Sequence, residues 1–354
     1  MAHRRACVPR MTAQSRRLSI LTAEEIEELY GLPCFSEDER GRYFDLSPIE
    51  SEAVGAVRTV SAAAHLALQL GYFKAKQQFF VYELEAVRGD LDHILRRHFP
   101  GRELQAIGLL SKPTRLAQQR LILQLFDHHP CDGAAKVELE RKAQRFAMLS
   151  TQPIYILREA LQHLANRRTV APGYTYLQDL VSRAVTGERK RITQLLDQAL
   201  PAKVKLALDE LLQADDGTYR IRTLKHEPKD FGNKQLRQEV ARRKRFQALH
   251  EFAESFLATT GLSHESVKYY ASLVQFYTVY KLRRMALSTV RLYLLCFAYH
   301  RLRQINDNLV EAFIHLVDQY EDAAKRAAED AAQKSPDRCR RTPQGGRAGA
   351  QPVR

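Results

Sequence analysis

The sequence predicts an all-α protein, with several helical modules of helix-turn-helix character followed by a bundle of long helices. Three observations carry this. Helix-start signals and 3.6-residue apolar periods are dense along the chain. Strand-like text is confined to Thr218–Leu224. From Lys234 onward the helical pattern lengthens into segments rich in Arg, Lys and Glu.

The elements follow in order. Thr22-Ala-Glu-Glu25 is a capping box, in which Thr22 accepts from the amide three residues on and Glu25 reaches back; Leu21 is placed to staple against Ile26. Gly31 and Pro33 stop that helix. Ser47-Pro48-Ile49-Glu50 repeats the start signal, with proline at the first helical position. Helices are then expected over 60–73, 83–98, 114–127, 134–149, 154–167, 175–186, 188–200 and 202–213. Asp215-Asp216-Gly217 reads as a turn before the one short strand, Thr218–Leu224. A charged helix spans 234–258, Ser263 caps a helix over 264–277, Ser288 caps one over 289–304, and 307–332 closes the series. The stretch Asp322–Gln333 has high helix propensity but almost no large apolar residue, so it is expected to project or to pack on something outside the chain.

Prolyl or polar interruptions at Leu149–Pro153 and Lys225–Gly232 suggest boundaries near 150 and 228. The expected organisation is a basic lead over 1–15, helical DNA-binding domains over 16–150 and 151–228, a long-helix bundle over 229–333, and a Gly-, Pro- and Arg-rich tail over 334–354 that cannot build a core.

Composition narrows the function classes. The 354 residues are 45% hydrophobic and 27% charged, a globular balance. No apolar run reaches the ~18 residues of a membrane span, and the basic start lacks the apolar segment of a secretion signal. These features point to a cytoplasmic protein. Cys7, Cys34, Cys131, Cys296 and Cys339 show no zinc-type spacing. Of the net charge of +14, the segments 1–17 and 334–354 carry +10, which leaves +4 for the body. A DNA site must therefore come from local clusters rather than from the bulk field.

Three blocks, RRLSILTAEEIEELYGLP, RYFDLSPIE and HLALQLGYFKAKQQFF, resemble the N-terminal region of the Tn-three family of replicative transposases. APGYTYLQDLVSRA and the helical stretch from about 233 to 330 are similar to the same region, so the resemblance covers roughly 15–333. It implies a helical segment that binds the terminal inverted repeats of the transposon, with the ribonuclease-H-like catalytic region lying further along. No position here matches that region's acidic triad. The expectation is end recognition on double-stranded DNA without strand-transfer chemistry and without a cofactor. Full-length transposase and self-association are the protein partners it suggests. A truncated regulator that competes for the repeats, or a degenerate fragment that binds nothing, are the alternatives.

Three clusters are candidate DNA contacts. On the helix from 234, Lys234, Arg237, Lys244 and Arg245 share about a 100° arc, flanked by Arg242 and Arg243; a solvated face without a partner is the plain alternative. Lys281–Arg303 holds Lys281, Arg283, Arg284, Arg291, Arg301 and Arg303 with no acid, and Arg283 and Arg284 are expected in a short link before the Ser288 cap; cations snorkelling around a core helix would look the same. Tyr174, Thr175 and Tyr176 enter a helix whose free amides suit a phosphate, with Arg183 following; the two tyrosines read equally as core rings.

Other motifs are weaker. Tyr72–Phe80 reads as a patch closing a small domain rather than a base-stacking platform. His300-Arg-Leu-Arg303 matches part of the tyrosine-recombinase pattern, but H-x-x-R is common in basic helical text. His128, His129 and Cys131 do not make a zinc set.

Overall fold

The structure, a computed structural model, describes residues 17–103, 107–215, 217–225 and 233–334. The expected lead over 1–15 and nearly all of the tail over 334–354 lie outside the described residues, as does the 226–232 segment. The fold is all-α: among the described residues fifteen α-helices and one 3-10 turn stand beside a single pair of two-residue strands. No helix there is long and apolar enough to cross a membrane. Two compact units divide the chain, one from 1–194 with 261–266 and the other from 195–260 with 267–354.

In the first unit, α1 (Ala23–Tyr30) begins on the Thr22–Glu25 capping box, with reciprocal bonds of 2.8 and 3.2 Å. Gly31 ends α1 in an extended conformation. Glycine is needed there because a Cβ would lie 2.3 Å from the Glu27 carbonyl oxygen. A second capping box, Ser36–Glu39, starts α2 (Glu37–Tyr43), a helix not expected from the sequence although Ser36-Glu-Asp-Glu39 carries its signal. The expected Ser47–Glu50 box starts α3 (Pro48–Gly55).

The hub is α4 (Val60–Lys76), buried on all sides from Ala62 to Phe73 because that stretch has no charged residue. Around it pack α2, α3, α5 (Arg88–His98, entered through a 3-10 turn at Glu85–Val87) and α6 (Lys112–Leu125). Gly71 admits the Phe44 ring, whose atoms lie 2.3 Å from where a Cβ would stand. Buried amides link α4 to α6: Gln69 donates to Gln118 (2.6 Å), which donates to the Ala62 carbonyl (2.7 Å), while the Gln69 Oε1 is left without a partner among the described residues.

A second apolar cluster joins α7 (Gly133–Leu149), α8 (Pro153–Asn166) and the start of α9 (Tyr174–Ala199), and takes in Leu21. The interruption at 149–153 is the turn between α7 and α8, whose two arms share this cluster. Helix α9 replaces the two helices expected at 175–186 and 188–200. Gly187 does not break it, because Glu188 and Arg191 carry the helix on with a two-pronged ion pair at 2.7 Å.

In the second unit, α10 (Ala202–Glu210) leads to β1 (Ala214–Asp215) and β2 (Thr218–Tyr219), which pair antiparallel. The expected strand over 218–224 is thus corrected. Arg220–Lys225 forms α11, since Ile221 and Leu224 are both buried at helical spacing and no further strand is present among the described residues to pair.

Helix α12 (Asn233–Thr260) is followed by α13 (His264–Phe276), α14 (Val279–Arg283) and α15 (Leu287–Lys334). The pairs Arg243–Asn306 and His250–Tyr299 show α12 and α15 packed antiparallel. Helix α15 corrects the expectation of separate helices over 289–304 and 307–332: Ile305 is fully buried, so packing carries the helix through Asn306 and Asp307. Ser288 lies inside its first turn rather than at its cap. From Val317 to Gln333 every residue is exposed.

Candidate nucleic-acid interface

On α12 the buried stripe is Phe246, Leu249, Ala253 and Phe256. Arg237, Lys244 and Arg245 are exposed away from it and have no carboxylate partner among the described residues. Lys234 belongs to the first turn, but its side chain lies outside the described residues. The two flanking cations differ. Arg242 is half-buried and ion-paired with the buried Glu239. Arg243 is exposed and donates to Asn306 Oδ1 at 2.9 Å. The helix therefore splits its basic run into cations that fix the bundle and cations that face solvent.

The second cluster sits differently from expectation. Thr278 caps α14, accepting from the Lys281 amide (3.3 Å), so Lys281 and Arg283 are helical and Arg284 is the C-cap. Each of these three exposed cations is matched to a tyrosine. Lys281 Nζ stands 3.6 Å from the Tyr277 ring centroid. The Arg284 guanidinium lies 5.4 Å from the Tyr280 ring. Arg283 donates to the Tyr219 hydroxyl at 3.4 Å. Arg291 is a correction: only 6% exposed, it forks onto Asp209 at 2.9 and 2.7 Å and so anchors α10 to α15. Arg301 is likewise buried, while Arg303 lies over the Tyr299 ring. In text without acids near in sequence, nothing local marked which face the neighbouring helix would cover.

Beside Arg283 a cleft of about 450 Å³ opens, lined mainly by Leu212, Tyr219, Leu282, Met285 and Val290. Lys225 braces this corner by donating to the Tyr277 carbonyl (2.8 Å), and Gln275 donates to the Lys225 carbonyl (3.2 Å). Partial burial pulls the Lys225 ammonium below its ordinary pKa.

The third cluster, in the first unit, is largely occupied. The Tyr174 hydroxyl accepts from the Leu21 amide (3.0 Å), and its ring packs on Tyr30. Burial pushes the Tyr30 hydroxyl well above its ordinary pKa. Tyr176 lies under Lys136, 5.4 Å from the ring centroid, with its hydroxyl buried. Thr175 is exposed in the first turn of α9. Arg183 donates to Glu140 (2.9 Å). Arg167 pairs with Glu138, whose carboxyl it holds below the ordinary range, and Arg168 with Asp127 at 2.8 Å.

Tyr72, Phe73 and Phe80 are core residues, and the Tyr72 hydroxyl donates to Asp90 (2.7 Å), which also receives Arg40 (2.7 Å). His128 bonds the Phe126 carbonyl at 2.8 Å, and no cluster of three metal-ligating side chains occurs among the described residues. Two features were not expected from the sequence. Arg141 and Arg145 stand exposed one turn apart on α7, masked in the sequence by the acids around them. Phe276 and Tyr280 are 84% and 70% exposed beside the α14 cations, a pairing visible as Phe276-Tyr-Thr-Val-Tyr280-Lys-Leu-Arg-Arg284.

No curated protein matches this chain. Residues 20–184 match the family model described as "Domain of unknown function (DUF4158)", a span running from the residues before α1 into α9; the cations of α12 and α14 lie beyond it.

Proposed function

We propose that this chain is a DNA-binding portion of a Tn-three family transposase that recognises the terminal inverted repeats of a transposon. Its role is recognition and not strand transfer. The observation that carries the reading is the exposed, acid-free set Arg237, Lys244 and Arg245 on α12. Fixed on a helix braced against α15, these cations suit the regular phosphate spacing of a duplex and release counterions on binding. The cations Lys281 and Arg284, set over tyrosine rings, and Arg283, bonded to a tyrosine hydroxyl, add a second grip of the same sign. The resemblance of the opening blocks and of 233–330 supplies the identity of the duplex, the transposon end.

Footprinting on a duplex carrying a terminal repeat tests the reading. Protection confined to the repeat, lost as salt rises, is the expected result. Absence of protection, or equal binding to a random duplex of the same length, rejects end recognition.

A further inference from the structure

We infer that the α13–α14 corner is a site for unpaired nucleotides, with exposed rings stacking on bases and the neighbouring cations holding the phosphates. The inference rests on the nucleic-acid reading above and adds a second form of ligand to it.

The geometry separates this corner from α12. On α12 the exposed cations stand away from any ring, as a duplex backbone requires. At the corner Phe276 and Tyr280 put most of their surface in water while the apolar stripe of α15 nearby is buried. An intact duplex offers base edges in its grooves, but its base faces are already stacked on one another. A free ring face needs a free base face, and only a single-stranded, bulged or frayed segment provides one. The charges agree: Lys281, Arg283 and Arg284 touch tyrosines and no carboxylate among the described residues, so an incoming phosphate displaces no anion. An Arg lying along a ring is also a surface on which a base can stack.

The cleft beside Arg283 completes the arrangement. Its roughly 450 Å³ is within the range of small-molecule sites. Leu212, Leu282, Met285 and Val290 give it apolar walls, and Arg283 and Tyr219 with Gln213 and the Arg291-paired Asp209 put hydrogen-bonding groups at its side. That combination suits one extruded base. The bonds from Lys225 to the Tyr277 carbonyl and from Gln275 to the Lys225 carbonyl hold the corner in place before any ligand arrives.

The test uses the full chain and three labelled probes: oligothymidylate, an intact duplex carrying a terminal repeat, and the same duplex with a one-nucleotide 2-aminopurine bulge. The intact protein is expected to bind all three and to quench the 2-aminopurine through stacking. Phe276→Ala, at an exposed position whose ring backs none of the three cations, is expected to weaken oligothymidylate and bulged-duplex binding about tenfold. Affinity for the intact duplex is expected to stay within about twofold. Failure of the intact protein to bind oligothymidylate or to quench the bulge overturns the inference and leaves the duplex reading standing. Failure to bind any probe overturns both. Equal losses on all three probes would make the corner a duplex-binding surface. Unchanged affinity for every probe would show that the Phe276 ring takes no part in nucleic-acid binding. Either result rejects the inference.

Discussion

In the first unit the candidate cation Arg183 ends on Glu140, and arginines near it are paired too: Arg167 on Glu138, Arg168 on Asp127 and Arg191 on Glu188. Apart from Arg243, which is bonded to Asn306, the described candidates of the second unit on α12 and α14, with Arg291, divide three ways. Arg242 and Arg291 are ion-paired within the fold, Lys281, Arg283 and Arg284 lean on tyrosines, and Arg237, Lys244 and Arg245 face water. Two basic stretches that look alike in the sequence thus differ in available charge. Formal charge attracts a polyanion from a distance, but gripping it requires a cation that need not first leave an anion. The difference favours α12 and α14 for the proposed duplex grip and gives the arginines around α9 a mainly structural part.

The largest effect that would sharpen this comparison is on stability. Asp209→Ala leaves Arg291 without the carboxylate it forks onto. The arginine side chain is 8% exposed and the aspartate 32%, so the loss belongs at the lower end for a broken buried pair, about 3 kcal/mol. Urea denaturation would measure it, and a loss below about 1 kcal/mol would return Arg291 to the set of functional cations.

Next comes charge reversal of Arg237, Lys244 and Arg245 together to Glu. Duplex affinity is expected to fall about 100-fold, with the slope of log K against log salt shrinking by about 0.9 for each phosphate left unneutralised. Circular dichroism should remain unchanged, because all three side chains are exposed. Unaltered affinity in a gel-shift titration would move the grip elsewhere.

Gly71→Ala probes the first unit alone. The new methyl collides with Phe44, an overpacking cost of about 1–3 kcal/mol that a gain in helix propensity of about 1 kcal/mol only partly offsets. A net loss of up to about 2 kcal/mol is expected on thermal melting. A stabilised variant would mean that Phe44 has room to move.

The same unit carries a pH dependence. His65 Nε2 faces the Gly108 carbonyl (3.1 Å), which can only accept, so Nε2 bears the proton and Nδ1 accepts from the Tyr82 hydroxyl (3.0 Å). Burial lowers the His65 pKa below its ordinary 6.5, so the folded state binds its proton less readily than the unfolded chain. Its contribution is complete above about pH 6.5 and falls as the pH drops toward the folded value, at most about 1.4 kcal/mol per pH unit. Denaturation series at pH 7.5 and 5.5 would show a decline that His65→Gln reduces; an identical decline in the variant would assign it to other groups.

The smallest effect is the most direct test of the comparison. Arg183→Ala breaks an exposed pair worth less than about 1 kcal/mol and should leave duplex affinity unchanged. A clear loss of affinity would show that Arg183 exchanges Glu140 for phosphate, and the two units would then be alike.

The helical start signals were legible because they are local. Thr22–Glu25 and Ser47–Glu50 need only residues three apart, and both boxes form as expected. Where expectation and structure part, distant residues decided. Helix α15 passes through Asn306 and Asp307 because Ile305 is fully buried; the exception is α9, which continues across Gly187 on the local Glu188–Arg191 pair. The strand at 218–224 gave way to α11 because a strand needs a neighbour from elsewhere in the chain. The candidate cations were legible as residue types, but the roles that the structure separates were not.

By itself the amino-acid order determined the all-helical class, most helix positions and the absence of acids across 281–303, all of which follow from neighbours within a turn or two of backbone. Only the tertiary structure decided that Arg291 is buried on Asp209 while Arg237 stands in water, and that Phe276 and Tyr280 project beside three cations held by tyrosines. The reason is physical: a helix specifies which residues share a face, whereas the free energy of burying or exposing that face depends on what another segment brings against it.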